Sequence, residues 1–189
     1  MSRTALLALL LLARSPAAVA QEEAPAEPAW VDAADAAGKF TFSHPPGWTT
    51  EAWEKDSRRG TKAKPPDDHP FRGGLFGVEY YPDPAVGRRL TAEKLARIFY
   101  DYYTGQKART IGEAADVEID GARGIAQRFA LVVQRPVDGQ PVDFELEYRV
   151  VCLKKGDLAY IVNLGAESRI LAANEETCQR LLDGVRLTP

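Results

Sequence analysis

Apolar and polar residues alternate along the first part of the chain in short runs with the two-residue period of β-strands. Such runs predict strands at residues 39–43, 48–53 and 74–81. The turn-forming residues 45–47, Pro-Pro-Gly, separate the first two runs. We therefore expect the first two strands to form an opening hairpin.

A helical period replaces this alternation after residue 90. Thr91 is placed to cap a helix, and Gly105 is placed to end it. Apolar side chains recur every three or four residues between them, which is typical of a helix with one buried side. This predicted buried stripe contains Leu95, Ile98, Phe99 and Tyr102.

The second half of the chain is richer in strand signals. Residues 117–119 and 124–134 flank Asp120 and Gly121, which predicts a hairpin because glycine accepts the positive φ of such a turn. Residues 142–153 alternate so cleanly that we expect one face in the core and the other in solvent. The apolar face carries Phe144, Leu146, Tyr148, Val150 and Cys152, and the charged face carries Asp143, Glu145, Glu147 and Arg149.

Residues 158–164 are apolar on both faces, which favours a central strand. Asn174 is placed to cap a last helix whose buried stripe includes Cys178 and Leu181. The predicted order β-β-β-α-β-β-β-β-α indicates an α+β protein, an antiparallel sheet of about six to seven strands with helices packed on it.

The composition indicates a folded protein, with 45% hydrophobic and 27% charged residues. The 24 basic and 27 acidic residues give a net charge of −3, which argues against a general nucleic-acid binder. Residues 1–20 have a basic start, a short apolar run and an Ala-Val-Ala end, the pattern of a secretory signal peptide with no transmembrane segment. We expect export to the periplasm or the extracellular space, an acidic Ala/Pro-rich tether at residues 21–37, and one domain at residues 38–189.

Three segments resemble the landmarks of the PsbP-like family of extracytoplasmic α/β sandwiches. Residues 40–48, Phe-Thr-Phe-Ser-His-Pro-Pro-Gly-Trp, look like its opening motif, and Asp120-Gly121 and residues 156–162 resemble its later ones. The resemblance covers most of residues 38–189 in order. It implies a PsbP-like sandwich, usually found in exported proteins that act as binding or assembly modules rather than as enzymes.

Two cysteines open the question of a disulfide, which export permits. Cys152 is predicted on the core face of its strand and Cys178 on the core stripe of the last helix. If that helix packs on the same face, a bridge closing a loop of about 27 residues would stabilise the fold by roughly 3.5 kcal/mol. The alternative is two reduced, buried thiols.

Catalytic residues are not predicted. The histidines are His44 and His69, and neither lies in a pattern that provides a nucleophile with a base. The run Asp67-Asp68-His69 lacks the three or four converging ligands of a zinc site, so neither a metal nor a cofactor is expected. The alternative is a glycosidase-like hydrolase that uses Glu145 and Glu147, which stand about 6.7 Å apart if they share a strand face.

Binding is the favoured class of function, through an exported, non-enzymatic binding or assembly module of the cell envelope. Residues 55–72 are predicted to form a mobile basic loop, and Tyr100 is expected to be exposed opposite the buried helical stripe. The partner would be an unknown protein or an anionic envelope component. A small-molecule carrier remains a further alternative that needs an apolar cavity between sheet and helix. The candidate contact residues are Arg58, Arg59, Lys62, Lys64 and Tyr100.

Overall fold

A computed structural model describes residues 28–189, which form eleven strands and four helices. The predicted signal peptide, residues 1–20, and residues 21–27 of the predicted tether lie outside the described residues. The strands are β1 (Val31–Ala34), β2 (Phe40–His44), β3 (Thr49–Lys55), β4 (Arg58–Lys64), β5 (Leu75–Tyr80), β6 (Arg109–Thr110), β7 (Ala115–Ile119), β8 (Ala122–Val137), β9 (Gln140–Lys155), β10 (Leu158–Glu167) and β11 (Arg186–Leu187). The helices are α1 (Pro84–Arg89), α2 (Ala92–Gly105), α3 (Ser168–Ala173) and α4 (Glu175–Asp183).

Eight of the described strands form one antiparallel sheet, here called the main sheet. Its order is β3-β4-β5-β10-β9-β8-β6, with β7 also paired to β8. This confirms the predicted α+β class, although the sheet has more strands than expected. β10 lies between β5 and β9, which confirms that the apolar run at 158–164 is central. The hairpin at Asp120 and Gly121 is also confirmed, because these residues have φ of 50° and 73° and join Ile119 to Ala122.

The two faces of the main sheet are covered by different elements. One face packs against α2, where Leu95 and Phe99 contact a cluster that includes Phe129 and Ile161. The other face packs against a smaller sheet, of order β1-β2-β11 among the described strands, and against α3 and α4. The helices α2 and α4 therefore lie on opposite faces of the main sheet, so the packing on one face that a Cys152–Cys178 bridge requires does not occur. Burial on both faces explains why β10 is apolar throughout.

The predicted opening hairpin does not form. β2 pairs with β1 and β11 in the smaller sheet, whereas β3 pairs with β4 in the main sheet. The Pro-Pro-Gly turn thus carries the chain from one sheet to the other. The fully buried rings of Phe40 and Phe42 explain this separation, because they pack into the core that lies between the two sheets.

The predicted tether and basic loop are also corrected by the structure. Val31–Ala34 forms β1, and the ring of Trp30 lies under the guanidinium of Arg180 at 4.3 Å, so the folded part begins before residue 38. Residues 58–64 form β4, a strand paired on both sides, rather than a mobile loop. The sequence conceals this strand because buried positions such as Ala63 alternate with charged ones.

Of the two alternatives for the cysteines, the structure favours two reduced, buried thiols. Cys152 belongs to the cluster under α2, whereas Cys178 belongs to the cluster on the opposite face of the main sheet. Both cysteines are free and buried. The sheet itself separates the two thiols, because α4 packs on the face opposite to α2.

Among the described helices, none has the length and apolar character needed to cross a membrane.

Candidate functional site

A groove opens between α2 and the main sheet. The helix makes its main contacts with β6, β8 and β9, so it leaves the same face of the sheet open over β3, β4, β5 and part of β10. The resulting cavity has a volume of about 590 Å³, within the range of small-molecule sites. We call it the α2 groove, and its wall and floor include Arg58, Glu79, Phe99, Tyr103, Tyr148 and Asn163.

The floor of the α2 groove carries a buried polar pair. Glu79 on β5 is only 3% exposed, and Asn163 on neighbouring β10 donates a hydrogen bond from Nδ2 to Glu79 Oε1 at 2.6 Å. Burial raises the pKa of the Glu79 carboxyl, although the Arg58 charge and the Asn163 hydrogen bond act in the opposite direction. Ionisation of Glu79 at the floor is therefore opposed by desolvation.

Arg58 connects this floor to the helix. Its Nη1 lies 3.1 Å from Glu79 Oε2, and its guanidinium lies 5.8 Å from the ring centroids of both Trp53 and Phe99. The contact with Oε2 is an ion pair without hydrogen-bond geometry. Glu79 Oε2 and Asn163 Oδ1 are both buried, and neither accepts a hydrogen bond from any described residue.

Tyrosine and phenylalanine rings form the wall. Tyr103 of α2 stacks on Phe129 with centroids 4.6 Å apart and lies 5.1 Å from the ring of Tyr148. Burial raises the pKa of the Tyr81, Tyr103 and Tyr148 hydroxyls, so these groups remain protonated and neutral at physiological pH. The wall is thus uncharged and largely apolar.

The rim of the groove corrects the predicted helical stripe. Leu95 and Phe99 are buried as predicted, but Ile98 is 48% exposed and Tyr102 is 58% exposed. Both exposed side chains line the opening of the groove, together with Leu75 of β5. They are exposed because the main sheet does not close against this side of α2.

The predicted basic contact residues do not form one surface. Side chains alternate along β4, so Arg59 points away from Arg58, Lys62 and Lys64. Three of them are also paired with carboxylates of β3: Arg59 lies 3.1 Å from Glu54, and Lys62 and Lys64 both lie 3.3 Å from Glu51. Only Arg58 lines the α2 groove.

Tyr100 is half-buried rather than exposed. Its ring packs against Phe129, with centroids 6.5 Å apart, and lies beneath the Arg97 guanidinium at 5.3 Å. Its hydrophobic surface is therefore already in contact with the protein, which weakens its case as a contact residue.

The charged face of β9 is not a solvated surface along its whole length. Glu147 is only 5% exposed and is held between Arg128 and Arg149, at 2.8 Å and 2.9 Å. Glu145 is bonded to Arg109 and to Ser168, and these hydrogen bonds lower its pKa. A general acid needs a raised pKa, so Glu145 is poorly suited to the glycosidase-like alternative.

The histidines lie outside the α2 groove. His44 is buried next to the carbonyl of Pro45, and His69 Nδ1 accepts a hydrogen bond from the backbone N–H of Phe71 at 3.0 Å. Within residues 28–189, no group of three or more His, Cys, Asp or Glu side chains is arranged to hold a metal ion.

The sequence analysis missed Glu79, Asn163 and the groove itself. The available signal was a single polar residue within an apolar strand, at Glu79 in β5 and at Asn163 in β10. A buried polar side chain in such a position usually has a specific partner. In the pairing of β5 with β10, Asn163 lies opposite Gly77. Gly77 and Glu79 are two residues apart on β5, so Asn163 and Glu79 are diagonal neighbours on the same face of the main sheet.

Comparison with known proteins identifies the fold. Neither a protein-family model nor a curated protein matches the chain. Cyanobacterial PsbP from Synechocystis sp. PCC 6803 is similar in structure, with a TM-score of 0.58 and 12% identity over 84% of this chain and 92% of that one. The Ran-binding protein Mog1p of Saccharomyces cerevisiae has a TM-score of 0.51 and 10% identity over 84% of this chain and 95% of that one. The predicted PsbP-like resemblance is thus confirmed as a likeness of fold.

Proposed function

From a PsbP-like fold that carries an open aromatic groove, we propose that this chain is a non-enzymatic binding module of the cell envelope. Its binding site is the α2 groove, and its ligand is a small, largely apolar molecule. The observation that supports this proposal most directly is the groove itself, a cavity of about 590 Å³ with an aromatic wall and a few polar groups on its floor. Small-molecule sites commonly combine these features.

The side chains of the groove support binding rather than catalysis. Among the described residues that line it there is no histidine, cysteine, serine or threonine, so the usual nucleophile and base pairs are missing. Its acids are Glu79 and Asp56. Glu79 is engaged by Asn163 and Arg58, and Asp56 lies 3.9 Å from Lys55 at the rim.

Two further observations support the location and the class. The signal-peptide pattern of residues 1–20 supports export to the envelope. The structurally similar Mog1p is described as a Ran-binding protein, and this supports a binding role for the fold. Its partner is not transferred to this chain, since the likeness concerns the fold alone.

Fluorescence of N-phenyl-1-naphthylamine, a neutral aromatic probe, tests the proposal. Its emission should rise and shift to shorter wavelength when purified protein is added. Ile98→Glu places a charge at the groove rim on a 48% exposed position, so it should weaken probe binding about tenfold while leaving the fold intact. Val132→Glu is the matched control, because Val132 is 59% exposed and does not line the groove.

The control variant should bind the probe as the unmodified protein does. Absence of any fluorescence change with the unmodified protein, or equal binding by Ile98→Glu, would contradict the proposal. Turnover of a glycoside substrate by the purified protein would instead favour the hydrolase alternative.

A further inference from the structure

Resting on the proposed function, we infer that the α2 groove selects ligands by their polar end: it accepts a neutral hydrogen-bond donor, such as an amide or a hydroxyl group, and disfavours a carboxylate or an acceptor-only group. The donor reaches the polar floor formed by Glu79 and Asn163, while the apolar body of the ligand lies along the aromatic wall.

The two buried polar atoms of the floor that have no hydrogen-bond partner are both acceptors. Asn163 Oδ1 and Glu79 Oε2 are buried, and no described residue donates a hydrogen bond to either of them. One of the two N–H groups of Asn163 Nδ2 is bonded to Glu79 Oε1 at 2.6 Å. An acceptor that is buried without a donor costs free energy, so a ligand that supplies the donor recovers that cost.

The charges at the floor disfavour ionic ligands of either sign. A carboxylate on the ligand would be repelled by the Glu79 carboxylate and the Asn163 carbonyl oxygen, and the Arg58 charge that could attract it is already paired with Glu79. A cation would approach the Arg58 guanidinium, which already lies 3.1 Å from Glu79 Oε2. A neutral donor avoids both repulsions.

The remaining charged groups lie at the rim rather than the floor. Lys55 and Asp56 form an exposed pair at 3.9 Å, and the Arg135 guanidinium lies 5.8 Å from the Phe144 ring. The inner wall is provided by the neutral rings of Phe99, Tyr103 and others. The buried polar groups of the groove are therefore concentrated at its floor, which orients the polar end of an amphipathic ligand towards them.

Competition between matched ten-carbon ligands tests this selectivity. Decanamide, methyl decanoate and decanoate share one apolar chain and differ in their polar ends, and each is titrated against bound N-phenyl-1-naphthylamine. Decanamide should displace the probe at about tenfold lower concentration than methyl decanoate, the ratio expected for one recovered hydrogen bond. Decanoate should be the weakest of the three.

One variant locates the selectivity at the floor. Glu79→Gln supplies an amide donor beside Asn163 Oδ1, so it should reduce the preference for decanamide to less than about threefold. Glu147→Gln is the matched control, because Glu147 is a buried, arginine-paired glutamate on the opposite face of the main sheet. It should keep the full preference.

The outcomes separate this inference from the proposed function. Equal displacement by decanamide and methyl decanoate would overturn the inference, although probe binding would still support the groove as a site. Failure of the unmodified protein to bind the probe would overturn both. The comparison of ligands on the unmodified protein remains decisive even if circular dichroism shows that a floor variant is unfolded.

Discussion

Arg58 on β4 and Glu79 on β5 form an ion pair of 3.1 Å in which the acid is buried and the base is only partly covered. The side chain of Glu79 is 5% exposed and that of Arg58 is 23% exposed. The positive charge of Arg58 thus offsets part of the free energy that the Glu79 carboxylate loses when burial removes its hydration. This relationship makes the floor of the α2 groove sensitive to changes at either residue.

Arg58→Met should destabilise the protein because it leaves the Glu79 charge buried without its cation. We expect a loss of about 2–4 kcal/mol in the free energy of unfolding, measured by urea denaturation at neutral pH. Arg59→Met is the control. Its partner Glu54 is 63% exposed, so the change should cost less than about 1 kcal/mol. Equal effects of the two substitutions would show that Arg58 does not compensate a buried charge.

The pH dependence of stability should reveal the raised pKa of Glu79. Since burial raises this pKa above 4.5, the stabilising contribution of Glu79 is fully present below that pH and is lost as pH rises through the folded-state value. Glu79→Gln does not titrate. The free energy of unfolding of the unmodified protein, relative to Glu79→Gln, should therefore fall as pH rises above about 4.5.

A second glutamate provides a control of opposite sign. Hydrogen bonds from Arg109 and Ser168 lower the pKa of Glu145, so its contribution is present above pH 4.5 and is lost as pH falls through the folded-state value. Relative to Glu145→Gln, the unmodified protein should gain stability as pH rises from acid to neutral. The same slope for both glutamates would contradict the assignment of these two pKa shifts.

Local signals were sufficient for the elements that depend on short-range chemistry. Thr91 caps α2, its hydroxyl accepting from the Lys94 N–H at 3.3 Å, and Asp120 and Gly121 form the turn that their positive φ values require. Asn174 marks the start of α4 as predicted, but its side chain donates to the Ile170 carbonyl rather than capping the helix. These features are read from neighbouring residues, which is why the sequence predicts their positions.

The smaller sheet and the α2 groove depend on relationships that a local pattern does not contain. β11 is only two residues long and pairs with β2, which lies far away in the sequence. The apolar stripes of α2 and α4 each predict a buried side, but they do not say which face of the sheet that side meets. For this reason a bridge between Cys152 and Cys178 was left open, and Ile98 and Tyr102 were predicted to be buried.

The placement of the two cysteines predicts slow thiol chemistry. Burial raises the pKa of Cys152 to about 12 and that of Cys178 to about 11, so neither is a thiolate at neutral pH. Ellman's reagent should leave both thiols of the folded protein unmodified over minutes and should react with both in guanidinium chloride. Rapid labelling before unfolding would contradict the burial of the thiols, and an intact mass showing the loss of two hydrogens would contradict their separation.

Gly87 should be intolerant of even one methyl group. A Cβ at this position of α1 would overlap the backbone carbonyl of Asp157, and the Gly87 carbonyl itself accepts a hydrogen bond from Lys154 at 2.5 Å. Gly87→Ala should therefore cost about 1–3 kcal/mol in thermal or urea unfolding. At Gly105, the last residue of α2, a Cβ has no neighbour within 4 Å. Gly105→Ala should be neutral or stabilising by about 0.5 kcal/mol, and a similar loss at both glycines would argue against tight docking of α1.

Asp120 should stabilise the contact between the main sheet and the C-terminal strand. Its carboxylate accepts from Lys155 Nζ at 2.6 Å and from the Leu187 N–H at 2.8 Å, and these bonds lower its pKa. Asp120→Asn keeps a residue that tolerates the turn's φ of 50° but loses the charge, so it should cost about 1–2 kcal/mol at pH 7. The contribution is present above pH 3.8 and is lost as pH falls through the folded-state pKa, so the difference between the two proteins should close in acid. Asp138→Asn is the control, because Asp138 lies at an exposed turn with the same φ of 50°. It should change stability by less than about 0.5 kcal/mol. A loss of stability in Asp120→Asn that does not depend on pH would indicate strain in the turn rather than loss of the charged contacts of Asp120.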